Sequence, residues 1–275
     1  MPGKLYIVAT PIGHLSDLSP HAVAVLGAVD LIACENPGHS QKLLQHYQIR
    51  KPVDKLFDYN EQAKTNDYIK RLQAGQDIAY ISDAGTPLIS DPGYRLVNIA
   101  QRQNIQVVPI AGPCAAIAAL SAAGLPTDRF SFEGFLPSKP AGRKKALTAL
   151  CFETRTLVFY EAPHRIAEAI LDAISIFGLM RLAVMAREIS KQYETICQMP
   201  LGQLYQWVMQ TKQDRGEIVL IIQGAQGKHE HHAMHDMIKR LSSHIQGKQL
   251  VNVIHALIGC PKQAVYRALE DIKNA

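Results

Sequence analysis

Short apolar runs recur along the first 110 positions, and each is followed by a segment with helical spacing of its apolar residues. Leu5–Ala9, Leu31–Cys34, Ile78–Ile81 and Gln106–Ile110 read as strands covered on both faces, because a nearly unbroken apolar run leaves few residues for a wet face. Between them the pattern predicts helices. One opens at Ser19-Pro20, an N-cap residue followed by Pro at the first helical position, and runs through Leu26. Others lie around Gln41–Tyr47, from Glu61 to Ala74 with Gly75 as its stop, and from Tyr94 to Arg102. Strand and helix in strict alternation predict a doubly wound parallel sheet.

Ala111-Gly112-Pro113 ends this series, and Cys114–Ala123 reads as a helix of small residues stopped by Gly124. The pattern restarts near Arg129. Strands are expected at Phe130–Phe135, Thr156–Tyr160, Leu182–Ala186, Thr195–Gln198 and Glu217–Ile222, with helices at Arg143–Cys151, His164–Phe177 and Leu201–Met209. Turns at Glu194-Thr195 and Asp214-Arg215-Gly216 suit antiparallel connections, so this second sheet is expected to be mixed. Leu250–Leu257 and Ala264–Ile272 are amphipathic runs separated by Gly259-Cys260-Pro261. Their spacing matches a helix-turn-helix, and a plain helical hairpin is the alternative. The expected organisation is an N-terminal α/β domain over 1–115, a second α/β domain over 116–227 and a helical tail over 228–275.

Composition narrows the class. The chain has 275 residues, 47% of them hydrophobic, enough for a large core, and no stretch approaches a membrane span. The start MPGKLYIVATPIG reads as a strand and turn rather than a signal peptide, so a cytoplasmic protein is expected. Cys34, Cys114, Cys151, Cys197 and Cys260 are scattered singly, as reduced thiols are. His229, His231, His232 and His235 crowd a polar stretch, but spacing fixes no third ligand, and a solvated linker is expected rather than a metal site. The net charge of +5 is unevenly spread: residues 1–115 balance, residues 116–227 carry +2 and residues 228–275 carry +3. Such a bias is compatible with nucleic acid without requiring it.

The densest chemistry lies in Asp77–Gly93, DIAYISDAGTPLISDPG, where a buried strand runs into a loop rich in Gly, Pro and Asp before a helix. Asp83 at the strand's carboxyl end falls where open parallel sheets place ligands, and the loop is longer than a mere connection needs. The alternative is a plain strand-to-helix connection with Ser90 and Asp91 capping the helix. No GxGxxG and no Walker loop is present, which weighs against dinucleotides and nucleoside triphosphates. A second cluster, Lys139, Arg143, Lys144 and Lys145, has no acid within it. Cations at a helix start oppose its dipole, so this group is expected to contact RNA phosphates; a solvated helix start is the alternative.

Several segments together carry a resemblance. LYIVATPIGHLSDLSPHAVAVLGAVDLIACE, ISDAGTPLISDPGYRLV, VVPIAGPCAAIAALSAAGLPTDRFSFEGFLPSKPAGRKKAL, VFYEAPHR, ARE followed by SK, and GEIVLIIQG resemble, in order and over the whole chain, the ribosomal RNA small subunit methyltransferase I family. The resemblance implies two α/β domains of the tetrapyrrole methylase type with S-adenosylmethionine in the cleft between them, plus the helical extension. It further implies a homodimer that methylates a cytidine 2′-hydroxyl in the decoding region of 16S ribosomal RNA or of the small ribosomal subunit. By that resemblance Pro11, Asp83, Ala84, Gly85, Thr86, Pro87, Leu88, Cys114, Ala115, Ala116, Tyr160 and Ala186 approach the cofactor.

Methyl transfer from a sulfonium needs alignment, which can supply about 7–11 kcal/mol, and something to accept the hydroxyl proton or stabilise the alkoxide. Glu35, Glu188 and Lys191 are the candidates, with His39 beside them. Each has a structural alternative: Glu188 as partner of Arg187 or Arg165, Lys191 as a phosphate contact, Glu35 and His39 as shapers of a turn. One departure stands out. Where the family usually carries EDTRHT, this chain has Glu35, Asn36, Pro37, Gly38, His39 and Ser40, so a carboxylate and a guanidinium are missing; His14 replaces the usual Asn of the PIGN turn. Two other readings follow: a methyltransferase for a tetrapyrrole or another small molecule, and an RNA- or ribosome-binding relative without turnover.

Overall fold

The computed structural model describes residues 1–56, 61–211, 215–225, 234, 237–258 and 262–274. The chain forms two compact units, one of Met1–Ala118 with Ile189–Gln192, the other of Ala119–Glu188 with Tyr193–Ala275. No helix among the described residues is long and apolar enough to cross a membrane.

The first unit is built on five parallel strands, β1 (Leu5–Val8), β2 (Leu31–Cys34), β3 (Val53–Lys55), β4 (Ile78–Ile81) and β5 (Val107–Ile110), in the order β3-β2-β4-β1-β5. Helices α1 (Pro20–Ala28) and α2 (Pro37–His46) pack on one face, where Leu26, Leu43 and Leu44 meet Val8, Ile32 and Ile81. Helices α3 (Glu61–Gln73) and α4 (Tyr94–Arg102) cover the other, where Tyr68, Leu72 and Leu96 meet Leu5, Ile78 and Tyr80. The expected doubly wound sheet is therefore present. Ser19 caps α1 by accepting from the Ala22 amide at 3.1 Å, and Gly75 takes φ +92° after α3.

Two local expectations need correction. Helix α2 begins at Pro37, four residues before the expected start, because Asn36 Oδ1 accepts from the amides of Gly38 and His39 and Pro37 occupies the first helical position. Strand β3 escaped notice because three residues, Val-Asp-Lys, hold one apolar side chain and no usable period.

Helix α5 (Ala115–Ala122) contains the division between the units. In the second unit β6 (Phe130–Phe135), β7 (Thr156–Glu161), β8 (Leu182–Arg187), β9 (Thr195–Pro200) and β10 (Ile218–Ile222) form a sheet ordered β6-β7-β10-β8-β9. Only β6 and β7 run parallel; the other neighbours are antiparallel, giving the expected mixed sheet. Helices α6 (Pro140–Ala149), α7 (Ile166–Phe177) and α8 (Leu201–Thr211) bury Leu147, Ile170 and Leu204 with Phe159, Met185 and Leu220. Helices α9 (Gly247–Ile258) and α10 (Lys262–Asn274) share a smaller core of Met234, Ile238, Leu250, Val251, Ile254, Val265 and Ala268. The four-histidine stretch, Cys260, Asp214 and the turn at 259–261 lie outside the described residues; Cys34, Cys114, Cys151 and Cys197 are free thiols.

Candidate functional site

Register aligns four strand ends in the first unit. Cys34 pairs with Ile81, Ile81 with Val8 and Val8 with Ile110, so Glu35, Ser82, Ala9 and Ala111 begin four loops along one sheet edge. The connection leaving β1 is carried by α1 on one face and that leaving β4 by α4 on the other. Neighbouring strands whose connections part in this way open a crevice at their carboxyl ends, and such crevices hold ligands in open α/β sheets.

The three central loops are laced together. Thr10 and Gly85 exchange backbone hydrogen bonds of 2.8 and 3.0 Å, and the buried Thr10 hydroxyl donates to Ser82 O at 3.2 Å. The Thr86 hydroxyl donates to Pro113 O at 2.9 Å, which ties the β4 loop to the β5 loop. Gly112 allows the β5 loop to lie against β1: a Cβ there would stand 2.9 Å from Ala9 Cβ. Within 83–93 the chain takes positive φ at Gly85 (+81°), Leu88 (+73°), Ser90 (+71°) and Gly93 (+114°). For Leu88 and Ser90 that conformation costs about 1–3 kcal/mol each, strain that concentrates where a backbone is shaped for a task. The capping alternative for Ser90 and Asp91 fails, because α4 has Gly93 at its N-cap and no side-chain cap bond.

Two carboxylates stand in the loop that follows β4. Asp83 Oδ1 is shielded from water and has no hydrogen-bond partner among the described residues. Burial pushes the Asp91 carboxyl up, opposed by a hydrogen bond from Ser82 and reinforced by the charge of Asp83. Burial likewise raises the Cys34 thiol, which lies in the field of Asp83, Asp54 and Glu35. An unsatisfied buried acceptor is costly, and Asp83 Oδ1 is one among the described residues.

The chain leaves the second unit after Glu188 and returns at Tyr193. Its excursion lies on Gly13, where a Cβ would stand 2.6 Å from Lys191 Cγ and 2.7 Å from Ile189 O, and the Ser190 hydroxyl donates to Asp17. Lys191 is thereby brought beside the loop holding Pro11. Glu35 directly precedes the α2 cap, and His39 is exposed on α2. Glu188 takes φ +52° and its Oε1 accepts from the Glu217 amide at 2.9 Å, while Arg187 donates to Arg215 O and Tyr193 O and Arg165 pairs with Glu161.

In the second unit Tyr160 and Ala186 share one row across the sheet, both opposite Val219 on the intervening β10, about 10 Å apart at two strand spacings. The Tyr160 ring meets Phe132 and Phe135 edge-on at centroid distances of 4.9 and 5.6 Å.

The basic cluster divides. Arg143 is a correction to the expected phosphate contacts: it is 1% exposed, its Nε lies 2.6 Å from Asp172 Oδ2 and its NH2 group 3.1 Å from Glu168 Oε2. Acids from the next helix, not RNA, explain a cation at this helix start. Lys139, Lys144 and Lys145 are exposed, and Lys144 Nζ is 3.5 Å from Asp172 Oδ1.

Sequence reasoning missed three groups. Thr10 looked like an ordinary turn residue. Glu161, which ends the apolar run of β7, is buried and binds the Ala162 amide and Arg165, a pairing four residues apart that spacing could have flagged. Asp54 binds Lys64 at 2.7 Å and the Tyr68 hydroxyl at 3.1 Å. No one-dimensional signal joins those three.

Residues 4–205 match the family described as Tetrapyrrole (Corrin/Porphyrin) Methylases. The chain is 54% identical over 225 residues to a Ribosomal RNA small subunit methyltransferase I of Pseudomonas aeruginosa, covering 82% of this chain and 80% of that one. It is 47% identical over 273 residues to the protein of that name from Escherichia coli O157:H7, covering 98% and 96%. Among solved structures it resembles a uroporphyrin-III-C-methyltransferase from Thermus thermophilus, with a TM-score of 0.57 and 20% identity over 80% of this chain and 94% of that one. It also resembles a diphthine synthase, with a TM-score of 0.59 and 16% identity over 80% and 90%. Likenesses at that identity speak for the fold alone.

Proposed function

The chain belongs to the ribosomal RNA small subunit methyltransferase I family within the tetrapyrrole methylases, and on that premise we propose that it methylates a cytidine 2′-hydroxyl in the decoding region of 16S ribosomal RNA, using S-adenosylmethionine. The observation that carries this reading is identity of 47% maintained over 98% of the chain with a relative of that name. Fold neighbours that act on tetrapyrroles lie at 20% identity or below and argue nothing about substrate.

The cofactor, when bound, supplies a methyl group on a sulfonium. Its fit is supported by the orphaned Asp83 Oδ1, which offers an acceptor, and by the strained Asp83–Leu88 backbone. Pro11, Ala84, Gly85, Thr86, Pro87, Leu88, Cys114, Ala115 and Ala116 are the proposed holding residues in the first unit. Backbone suits this task because a laced loop is already ordered before binding and so loses little entropy.

A ribose hydroxyl is a weak acid, so its proton must pass to a neighbouring base as the oxygen attacks. Glu35, first in the loop after β2, is proposed as that acceptor, and Lys191, held on Gly13, as the cation that steadies the developing negative oxygen. Glu188 is proposed as a positioning residue: its hold on the Glu217 amide fixes the point where the chain departs toward Lys191. Lys139, Lys144 and Lys145 are proposed RNA contacts. The active species is proposed to be a cytoplasmic homodimer, for which edge strand β6, with Phe135 57% exposed, supplies an apolar surface.

The test is incubation of purified protein with labelled S-adenosylmethionine and small ribosomal subunits from cells lacking this activity, followed by nuclease mapping. Label is expected on a decoding-region cytidine ribose. Cofactor binding with no label on the RNA would overturn the reading.

A further inference from the structure

The connection from β8 to β9 is strained at two points. Arg187 stands opposite Thr195 in the sheet, and the chain between them takes positive φ at Glu188 (+52°) and Ser190 (+65°), neither of them glycine. Each such residue costs about 1–3 kcal/mol, and the conformation persists only where the surroundings over-determine it. The chain departs after Glu188, lays Ile189 and Lys191 on Gly13, and returns at Tyr193.

Arg187 and the turn at Arg215-Gly216-Glu217 supply those surroundings. One terminal nitrogen of Arg187 donates to Arg215 O at 3.2 Å; the other donates to Tyr193 O at 3.2 Å and lies 3.5 Å from Thr195 Oγ1. A single guanidinium thus joins the turn to the point where the excursion returns. Its Nε is shielded from water and has no hydrogen-bond partner among the described residues, so this cation is drawn into the chain rather than held out toward a phosphate. The same turn holds the departing end: the Glu188 amide donates to Glu217 O at 2.9 Å, and Glu188 Oε1 accepts from the Glu217 amide at 2.9 Å. Gly216, at φ +83°, lets the turn close, because a Cβ there would stand 2.4 Å from Glu188 Oε1.

A lysine side chain carries about 2 kcal/mol of rotamer entropy, so a cation that must meet a developing negative oxygen depends on where its backbone is fixed. A displacement of about 1 Å in such a group can cost about a hundredfold in rate. We infer that Arg187 is a positioning residue for methyl transfer: by gripping Tyr193 O and Arg215 O it fixes the return end of the excursion that carries Lys191. The inference rests on the reading of Lys191 as the cation at the reacting oxygen, and it complements the role of Glu188 at the departing end.

The test measures transfer from labelled S-adenosylmethionine to small ribosomal subunits by the full chain as wild type, Lys191→Ala, Arg187→Ala and the double variant. Lys191→Ala is expected to keep a rate about 10²–10³ below wild type, which the label still reads. Arg187→Ala should lower kcat at least about tenfold, with KM for the subunit and affinity for the cofactor within about twofold of wild type. In the Lys191→Ala background the same substitution should cost less than about twofold, since residues that act as one unit are not additive. Arg187→Lys, which keeps the charge but cannot bridge two carbonyls, and Gly216→Ala, which crowds Glu188 without removing a charge, carry the same comparison if Arg187→Ala fails to fold. An equal loss in both backgrounds would make Arg187 a structural residue and overturn the inference, as would an undiminished kcat in the singly substituted protein. Lys191→Ala as active as the wild type would instead defeat the reading of Lys191, which keeps the two failures apart.

Discussion

Arg143 Nε lies 2.6 Å from Asp172 Oδ2, and the arginine is 1% exposed. The pair joins α6 to α7 across 29 positions of sequence, with Glu168 taking a second bond from the guanidinium at 3.1 Å. Removing one member of a buried ion pair strands the other, at a cost of about 3–5 kcal/mol, whereas replacing both by apolar residues can be nearly neutral. Arg143→Ala is therefore expected to lose about 3–5 kcal/mol in urea unfolding. Arg143→Met/Asp172→Leu should recover most of that and bind RNA as the wild type does. A double variant that regains stability yet loses RNA affinity would return Arg143 to the phosphate-binding set.

Glu153 offers a pH test of its ion pair with Arg155. Its bidentate bond from Arg155 holds the carboxyl at about 2, well below the ordinary 4.5. A depressed carboxylate contributes stability above its unfolded pKa and loses it as pH falls through the folded one. With side chains 21% and 38% exposed, solvent screening reduces the contribution to about 1 kcal/mol. Glu153→Gln should thus be less stable than wild type by about 1 kcal/mol at pH 7, with the gap closing between pH 4.5 and about 2. A gap that stays constant over that range would mean the bond carries no such linkage.

Asn36 does work that composition disguised. The resemblance implied an acid, a hydroxyl residue and an arginine where Asn36, Pro37 and Gly38 stand, and Asn36 Oδ1 caps the helix through two amides. Asn36→Ala should cost about 1 kcal/mol, while Asn36→Asp should cost little, because both side chains accept at an N-cap. The triple variant Asn36→Asp, Pro37→Thr and Gly38→Arg should keep the helix start and change the methylation rate of an active wild type less than tenfold. An inactive wild type that becomes active in the triple variant would favour a relative that has lost turnover.

The strands were read from sequence almost residue for residue where burial on both faces made apolar runs unmistakable, as for Leu31–Cys34 and Ile78–Ile81. Local chemistry announced the loop at Asp83, since Gly and Pro fix φ without reference to the rest of the chain. What could not be read depended on partners far along the chain. Arg143 looked like a surface cation because Asp172 is 29 positions away. Lys191 gave no sign that its segment returns to the first unit and lies on Gly13. Asn36 differs: the helix was expected only around Gln41–Tyr47, whereas Asn36 and Pro37, an N-cap residue and Pro at the first helical position, start it.

Asp83 should separate stability from binding. Its Oδ1 is buried without a partner among the described residues, a state that costs about 1–3 kcal/mol unless a ligand donor satisfies it. A site residue of this kind holds the free protein below the stability it could reach, and removing it should help folding while harming function. Asp83→Ala is expected to unfold at equal or higher urea concentration than wild type, with the Asp91 carboxyl eased downward by loss of the neighbouring charge. The same variant should bind S-adenosylmethionine at least about tenfold more weakly, the value of one charge-assisted hydrogen bond. Calorimetric titration of both proteins with the cofactor, beside their urea curves, decides the matter. Lower stability with undiminished affinity would make Asp83 a structural residue of the loop and move the cofactor's acceptor elsewhere along the sheet edge.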